Sequence, residues 1–229
     1  QLLQYLPLTR PLAVKALSKK LDKNNVMLIL DLEDSIQDPF SESKTKILKE
    51  NARKNLYWLS KKKNQIYAKN KIFVRINSIE TIYFRKDLEI IKKIILEDQL
   101  LISGLFLPKI ENYKQITTIQ NYFNINKNLL YVPIIETKQG MINLESILKN
   151  DKDNNYIYAI HYGHFDYCLD IQAWPFPDPF HNEFWEIVNK VTTLAIKYKK
   201  IYIHTPFPFL KNKKIFWGSE AHLKSRYKE

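Results

Sequence analysis

Five hydrophobic runs in this chain end in polar or charged residues, and this repetition is the feature that most constrains its fold. The apolar parts of the runs do not alternate with polar residues, which is typical of strands covered on both faces. Each run therefore predicts a buried strand that delivers polar groups at its C-terminal end. The runs are VMLILDLEDS (26–35), KIFVRIN (71–77), LISGLFLPKIE (101–111), LLYVPIIET (129–137) and YIYAIHYGHFD (156–166).

Segments of helical period separate these strands, and the alternation predicts a parallel sheet. The segments LLQYLPL (2–8) and KKIYIHTPF (199–207) predict a first and a seventh strand. A short helix in the tail, capped by Ser219, is a further expectation. Apolar residues at helical spacing predict six other helices, at about residues 12–21, 41–60, 84–98, 113–123, 141–149 and 182–198.

Two α/β folds fit this order, a TIM-type (β/α)8 barrel and an open doubly wound sheet. In a barrel the C-terminal ends of all strands surround one mouth, so the five polar clusters would share a pocket. In an open sheet some clusters would lie far from the ligand crevice, and the chain has no GxGxxG or P-loop motif. We therefore predict a single TIM-type domain over residues 1–229. The chain ends soon after the seventh strand, so we expect this barrel to be short of its eighth strand and helix and of a C-terminal lid.

The net charge and the composition indicate which partners and which cellular compartment to expect. The net charge is +12, but only five of the 36 basic residues are arginine, and no nucleic-acid-binding pattern is present. A solvated lysine surface is favoured over RNA binding, which would show as a steeply salt-dependent affinity. The chain has no run of ~20 apolar residues, no signal peptide pattern and one cysteine, Cys168. We expect a cytoplasmic protein without a nucleic-acid or membrane partner. Because an unfinished barrel exposes strand edges, we also expect a homo-oligomer.

Glu136 and Asp166 are the candidate metal ligands, because each follows an apolar strand at neighbouring positions of the predicted barrel. Two facing carboxylates repel each other unless a proton or a cation lies between them. Mg²⁺ is bound in proteins by one or two carboxylates, with water and substrate oxygens completing its octahedron. The alternative is that one carboxylate pairs with a lysine and the other caps a helix.

Arg75 and the acidic segment DLEDS are candidates for catalysis. Arg75 cannot lose its proton and needs an anion, either a substrate carboxylate or enolate oxygen, or a structural ion pair with Glu33, Asp34 or Glu136. Alternation predicts that Asp31 and Glu33 share one face of the strand and that Asp34 points the other way. One of these carboxylates would then enter the pocket and another would cap the following turn.

Three residues near other strand ends are candidates for substrate binding. Lys109 either faces the pocket or pairs with Glu111. Gly163 predicts a sharp turn in the loop. By alternation His164 lies on the same side as Asp166 and would donate a hydrogen bond to substrate, although a histidine satisfied within the fold is the commoner case.

Taken in order, these motifs resemble the HpcH/HpaI aldolase family, which includes the citrate lyase β-subunit. The resemblance covers about residues 3–207 and implies a TIM-type barrel of the phosphoenolpyruvate/pyruvate group, with Mg²⁺-dependent cleavage or formation of a C–C bond. The segments that carry it are VMLILDLEDS, Ala52 with Arg53, VRIN, LFLPKIE, PIIET with Gly140, and YGHFD.

The resemblance also implies roles for single residues. Glu136 and Asp166 match the family's metal ligands, and Arg75 matches its substrate-binding arginine. Glu33 and Asp34 match the acidic pair near the metal-bound water, so we expect them to act in catalysis together with Arg75. The expected substrate-binding residues are Arg75, Arg10, Lys109, Gly163 and His164.

Three departures from the family pattern shape the expected function. Pro7 is followed by Leu8 instead of glycine, Phe165 replaces an acidic residue, and the chain ends soon after the seventh strand, before the lid that can complete the site in CoA-ester lyases. The leading interpretation is a Mg²⁺-dependent lyase or aldolase that cleaves a small oxo acid or an acyl-CoA thioester through a metal-stabilised enolate. The alternative is a catalytically weak barrel that binds a ligand or serves as a subunit.

Overall fold

Seven parallel strands form a curved sheet in the computed structural model, which describes residues 3–10, 26–61, 71–97, 102–123, 129–179 and 181–205. The strands pair in chain order from first to last, so each lies beside its sequence neighbours. This confirms the predicted α/β fold of the TIM-barrel type. The strands are β1 (Leu3–Pro7), β2 (Met27–Asp31), β3 (Ile72–Arg75), β4 (Ile102–Leu107), β5 (Leu130–Ile135), β6 (Ala159–Tyr162) and β7 (Ile201–Ile203).

Helices follow most of the strands and cover the outside of the sheet. Five of them lie where the sequence predicts a helix, whereas α5 was not predicted; the helices expected at residues 12–21 and in the tail lie outside the described residues. None of the described helices is long and apolar enough to cross a membrane. The helices are α1 (Glu42–Ser60), α2 (Phe84–Leu96), α3 (Tyr113–Tyr122), α4 (Lys138–Asn150), α5 (His164–Asp170) and α6 (Asn182–Lys197).

Polar side chains just before the helices determine where several of them begin. The Ser41 side chain accepts a hydrogen bond from a backbone N–H of the first turn of α1. Asn112 forms a reciprocal capping box with Gln115 at the start of α3, and Thr137 caps α4. Asn112 and Thr137 lie in short loops after β4 and β5, so these helices start close to the strand ends.

Two hydrophobic cores explain why the strands are apolar along their whole length. Met27 and Ile29 of β2 belong to a core inside the barrel, whereas Leu28 and Leu30 pack beneath the helices. Phe73 and Phe106 meet edge to face in the interior core, with 5.5 Å between their ring centroids. The interior is therefore filled by side chains beneath the C-terminal ends of the strands, as is usual in this type of barrel.

A buried polar network connects α1 and α2 to the segments that follow β2 and β3. The Lys49 ammonium group donates to the Glu33 carbonyl oxygen at 2.7 Å and to Asn77 Oδ1 at 2.6 Å. The fully buried Asp87 carboxylate accepts from the Asn77 backbone N–H at 2.8 Å and from Arg53 Nη1 at 3.0 Å. These bonds satisfy the buried charges and position the acidic segment after β2.

Candidate active site

A cavity of about 190 Å³ lies at the C-terminal ends of the strands; we call it the mouth cavity. A second cavity of about 440 Å³, the side cavity, adjoins it because Asp34 lines both. Glu33 and Lys109 line the side cavity, and Arg10 is exposed just beyond β1. The predicted site residues that line the mouth cavity are Asp34, Arg75, Glu136, Gly163, His164 and Asp166.

Glu136 and Asp166 meet in the mouth cavity. Glu136 directly follows β5 and is buried, whereas the Asp166 side chain is 32% exposed and lies in the first turn of α5. Burial and the negative charge of Asp166 raise the pKa of Glu136 to about 8. The pKa of Asp166 is also raised by burial.

The chemistry of this pair fits a divalent cation. The raised pKa of Glu136 comes partly from the repulsion that a cation between the two carboxylates would relieve. Within the described ranges, no group of three or more His, Cys, Asp and Glu side chains is arranged to hold a metal ion. A cation bound here would therefore need water or substrate oxygens as further ligands, which is usual for Mg²⁺.

The absence of a side chain at Gly163 makes room for Glu136. A Cβ atom at Gly163 would lie 2.5 Å from Glu136 Oε2 and 2.6 Å from Glu136 Cβ. The backbone φ angle of Gly163 is −90°, which any residue can adopt. The chain turns from β6 directly into α5 at this position, and the space beside Glu136 is a further reason for glycine that the sequence did not predict.

The alternation that the sequence predicted from Asp166 to His164 is wrong, because β6 ends at Tyr162 and α5 begins at His164. His164 is buried; its Nε2 donates to the Pro177 carbonyl oxygen at 2.7 Å, so its Nδ1 accepts from the Tyr162 hydroxyl group at 3.0 Å. Burial lowers the pKa of His164. Both ring nitrogens are thus engaged within the fold, which is the commoner role that the sequence left open.

Arg75 is held by three carboxylates. Its Nε and Nη2 atoms donate to Asp31 at 2.7 and 2.6 Å, and its Nη1 lies 3.0 Å from both Glu33 Oε2 and Asp34 Oδ2. The structural ion pair with Glu33 and Asp34 is therefore present, with Asp31 as an additional partner. The prediction that Asp34 faces away from Asp31 and Glu33 is wrong, because β2 ends at Asp31 and a turn follows.

Burial affects the carboxyl groups around Arg75 in opposite ways. For Asp31 the effect of burial is outweighed by hydrogen bonds from Arg75 and Ser35, which hold its pKa below the ordinary range. For Glu33 burial prevails over the attraction of Arg75 and raises the pKa well above the ordinary range. Asp31 is therefore a structural anchor, whereas burial favours the protonated form of Glu33.

Lys109 contributes a backbone and a side-chain contact to the carboxylate pair. Its backbone N–H donates to Glu136 Oε1 at 2.9 Å, and its φ angle of 53° lies in the left-handed region that few lysines adopt. Its Nζ lies 4.0 Å from Asp166 Oδ2. The predicted pairing with Glu111 is wrong, since the ammonium group is directed to Asp166 instead.

Sequence reasoning missed three polar residues that line the mouth cavity, namely Tyr5, His161 and Thr205. A period of two along the strands would have found two of them, since Ile29 pairs in register with Tyr5 and Ile203 with His161. Both partners belong to the interior core. Tyr5 also supports Arg75, whose guanidinium group lies 4.8 Å from the centre of the Tyr5 ring.

Two buried histidines are expected to make the stability of the fold depend on pH. Burial lowers the pKa of His161 and of His204 from 6.5 to about 4. Below pH 6.5 the unfolded chain gains a proton at each position that the folded chain does not bind until about pH 4. The free energy of unfolding should therefore decrease as the pH is lowered from about 6.5 to about 4, by up to about 1.4 kcal/mol per pH unit for each histidine.

Urea unfolding at a series of pH values measures this slope. The slope is proportional to the number of protons taken up on unfolding, and His161→Gln and His204→Gln should each lower this number by up to one. The same change at the exposed His181 serves as the control. Equal slopes in all three variants and the parent protein would contradict the assignment.

The fold and the site together define a TIM-type barrel with a pair of acidic side chains at its mouth. The family model for HpcH/HpaI aldolase/citrate lyase matches residues 1–224, and the chain belongs to this family. No curated protein matches the chain.

Solved structures share the fold at low sequence identity. RipC from Yersinia pestis is 19% identical with a TM-score of 0.68, over 99% of this chain and 81% of that one. The citrate lyase β subunit of Mycobacterium tuberculosis complexed with oxaloacetate and magnesium is 15% identical with a TM-score of 0.73, over 98% of this chain and 86% of that one. CitE of the same organism in complex with magnesium, acetoacetate and coenzyme A is 16% identical with a TM-score of 0.73, over 98% of this chain and 72% of that one.

Proposed function

We propose that this protein is a Mg²⁺-dependent carbon–carbon lyase or aldolase that acts on a small oxo acid or an acyl-CoA thioester. The observation that carries the proposal is the meeting of Glu136 and Asp166 in the mouth cavity, with the pKa of Glu136 raised to about 8. Membership of the aldolase/citrate lyase family supports the reaction class. Complexes of structural neighbours with magnesium, oxaloacetate and coenzyme A support the cofactor and both substrate classes.

Glu136 and Asp166 would hold the cation. The backbone N–H of Lys109 keeps Glu136 in place through its bond to Oε1, which leaves the other carboxylate oxygen free to face Asp166. The Lys109 ammonium group offsets part of the negative charge at Asp166. When bound, Mg²⁺ supplies Lewis acidity for the charge that develops on the substrate carbonyl oxygen as the C–C bond breaks.

Arg75 would bind the substrate through one edge of its guanidinium group. Its Nε and Nη2 edge is bound to the fully buried Asp31 and stays in place. Its Nη1 edge faces Asp34, whose side chain is 47% exposed and is therefore able to give way to a substrate oxygen. Arg75 then adds a second positive group beside the developing negative charge.

The acidic pair after β2 would take the substrate hydroxyl proton. Asp34 lines the mouth cavity, so its carboxylate is placed to receive a proton from a ligand there. The adjacent Glu33, whose pKa burial raises well above the ordinary range, would share in this proton transfer as a general acid–base group.

The volume of the mouth cavity indicates a small reacting group. A cavity of 190 Å³ has room for about six water-sized volumes, enough for the head of an oxo acid. A thioester would have to extend beyond it, and the adjoining side cavity of 440 Å³ offers polar surface for such a ligand.

Titration calorimetry with Mg²⁺ tests the metal site. Glu136→Gln and Asp166→Asn should each weaken Mg²⁺ binding by more than about 100-fold, because each removes a charged ligand, while the circular dichroism spectrum is unchanged. The exposed residues Glu186 and Asp153 provide matched controls, Glu186→Gln and Asp153→Asn. Unchanged Mg²⁺ affinity in both site variants would remove the proposed ligands.

A catalytically weak binding module is the second candidate, and the engagement of Arg75 by three carboxylates favours it. Turnover of citryl-CoA, malyl-CoA and 4-hydroxy-2-oxo acids in the presence of Mg²⁺ separates the two. Metal-dependent cleavage of any of them supports the lyase. Mg²⁺ binding without cleavage of any of them supports the binding module.

A further inference from the structure

We infer that Tyr5, His161 and Thr205 form a subsite on the floor of the mouth cavity that recognises a hydroxyl group of the substrate. None of the three has a part in the mechanism proposed above. The inference rests on the proposed function, because it specifies what the same cavity selects beyond the groups that bind the cation and Arg75.

Two of the three residues carry buried hydroxyl groups without a partner. Tyr5 Oη and Thr205 Oγ1 are buried and have no hydrogen-bond partner among the residues that the structure describes. Both residues line the mouth cavity. Buried polar groups in native proteins are nearly always paired, so unpaired hydroxyl groups on a cavity wall indicate a ligand or water that pairs with them.

His161 adds a hydrogen-bond acceptor to these hydroxyl groups. Its Nδ1 lies 3.2 Å from the Ile203 carbonyl oxygen. Because a carbonyl oxygen only accepts, Nδ1 carries the proton of the neutral ring and Nε2 is left with its lone pair. His161 also lines the cavity, so this nitrogen belongs to the same polar floor.

Packing holds Tyr5 in a defined position. Its ring lies beneath the Arg75 guanidinium group at 4.8 Å and meets the Phe106 ring edge-on, with 6.0 Å between centroids. The His161 ring centroid lies 6.4 Å from that of Tyr5. The floor is therefore built before a ligand arrives, which lowers the entropic cost of binding.

The donor and acceptor set of Tyr5, His161 and Thr205 selects a hydroxyl group. A substrate hydroxyl group donates to the lone pair of His161 Nε2 and accepts from Tyr5 or Thr205. A methyl group in the same place would leave all three residues without a hydrogen bond. A carboxylate has no proton to donate, so its oxygen would repel the lone pair of His161 Nε2. Sites of this kind discriminate strongly against ligands that lack the hydroxyl group.

Isosteric ligand pairs test the inference by calorimetry. Hydroxypyruvate and 2-oxobutanoate differ only by a hydroxyl group in place of a methyl group, and 4-hydroxy-2-oxobutanoate and 2-oxopentanoate repeat the comparison one carbon further. We expect the parent protein to bind the hydroxylated member of at least one pair about tenfold or more tightly. Tyr5→Phe and Thr205→Val should each reduce that preference several-fold, while the affinity for the methyl ligand stays the same or rises.

Tyr158→Phe is the matched control, because Tyr158 packs against the interior core and is not part of the cavity lining. Equal affinities within both pairs for the parent protein, or a preference that both variants retain, would overturn the subsite. Repeating the titrations with EDTA in place of Mg²⁺ keeps the two hypotheses apart. Ligand affinities that are the same with Mg²⁺ and with EDTA would count against the metal site. The ratio of the affinities for the hydroxylated and the methyl ligand of a pair tests the subsite on the cavity floor.

Discussion

Replacing Arg75 with methionine is expected to lower the free energy of unfolding by about 3–5 kcal/mol, the cost that is typical when one partner of a buried ion pair is removed. The Arg75 side chain is only 14% exposed, and it is the cation that three carboxylates share. Without it, the fully buried Asp31 keeps its negative charge and its hydrogen bonds from the Glu33 N–H and from Ser35, but it loses its ion-pair partner. Urea unfolding of the parent protein and of Arg75→Met measures the difference.

Two further variants show whether the loss comes from the stranded charge. Adding Asp31→Asn to Arg75→Met removes the buried charge and should restore part of the stability. Arg85→Met is the matched control, because the Arg85 side chain is 86% exposed in its pair with Glu89 and should contribute less than about 1 kcal/mol. A loss at Arg75 no larger than at Arg85 would show that the cluster does not stabilise the fold.

The change Gly163→Ala is expected to weaken Mg²⁺ binding by at least about 100-fold, the effect of losing a ligand rather than an outer partner. The new Cβ would lie 2.5 Å from Glu136 Oε2, which is closer than real Cβ contacts, so the carboxylate has to leave its position. Calorimetry measures the affinity of the folded variant, and thermal unfolding reports any accompanying loss of stability.

The variant Gly104→Ala is the control for Gly163→Ala. It shows whether a loss of Mg²⁺ affinity comes from displacement of Glu136 or from steric strain in general. A Cβ at Gly104 would overlap the Leu130 carbonyl oxygen and would lie 2.5 Å from Phe73 Cε1, so the overlap is at least as severe. This glycine is not part of the mouth cavity lining, and its variant should lose stability but bind Mg²⁺ as the parent protein does. Equal loss of Mg²⁺ affinity in both variants would contradict the specific role of Gly163.

The strands and most helices could be predicted from sequence because burial and capping leave local signals. The run MLILD in β2 is apolar on both faces, since one set of its side chains fills the barrel and the other packs under helices. Ser41 precedes α1 as a typical N-cap residue. Because strand order in a barrel follows chain order, the meeting of Glu136 and Asp166 was also within reach of sequence reasoning.

What the sequence could not reveal depends on where each strand stops. Alternation holds only within a strand, and Asp34, His164 and Asp166 all lie beyond the last strand residue. The crowding at Gly163 was out of reach for a different reason, because only the packed structure shows which atoms approach it. The floor residue Tyr5 belongs to β1, whose end carries no charged cluster to attract attention.

The filled barrel interior has a consequence for the order of events in catalysis. Phe73 and Phe106, with the other interior side chains of the described residues, fill the barrel beneath the mouth. A bond cleavage in the mouth cavity would leave one fragment nearer to this filled floor and the other nearer to the opening. The fragment nearer to the floor would then depart second, and the reverse condensation would have to load it first.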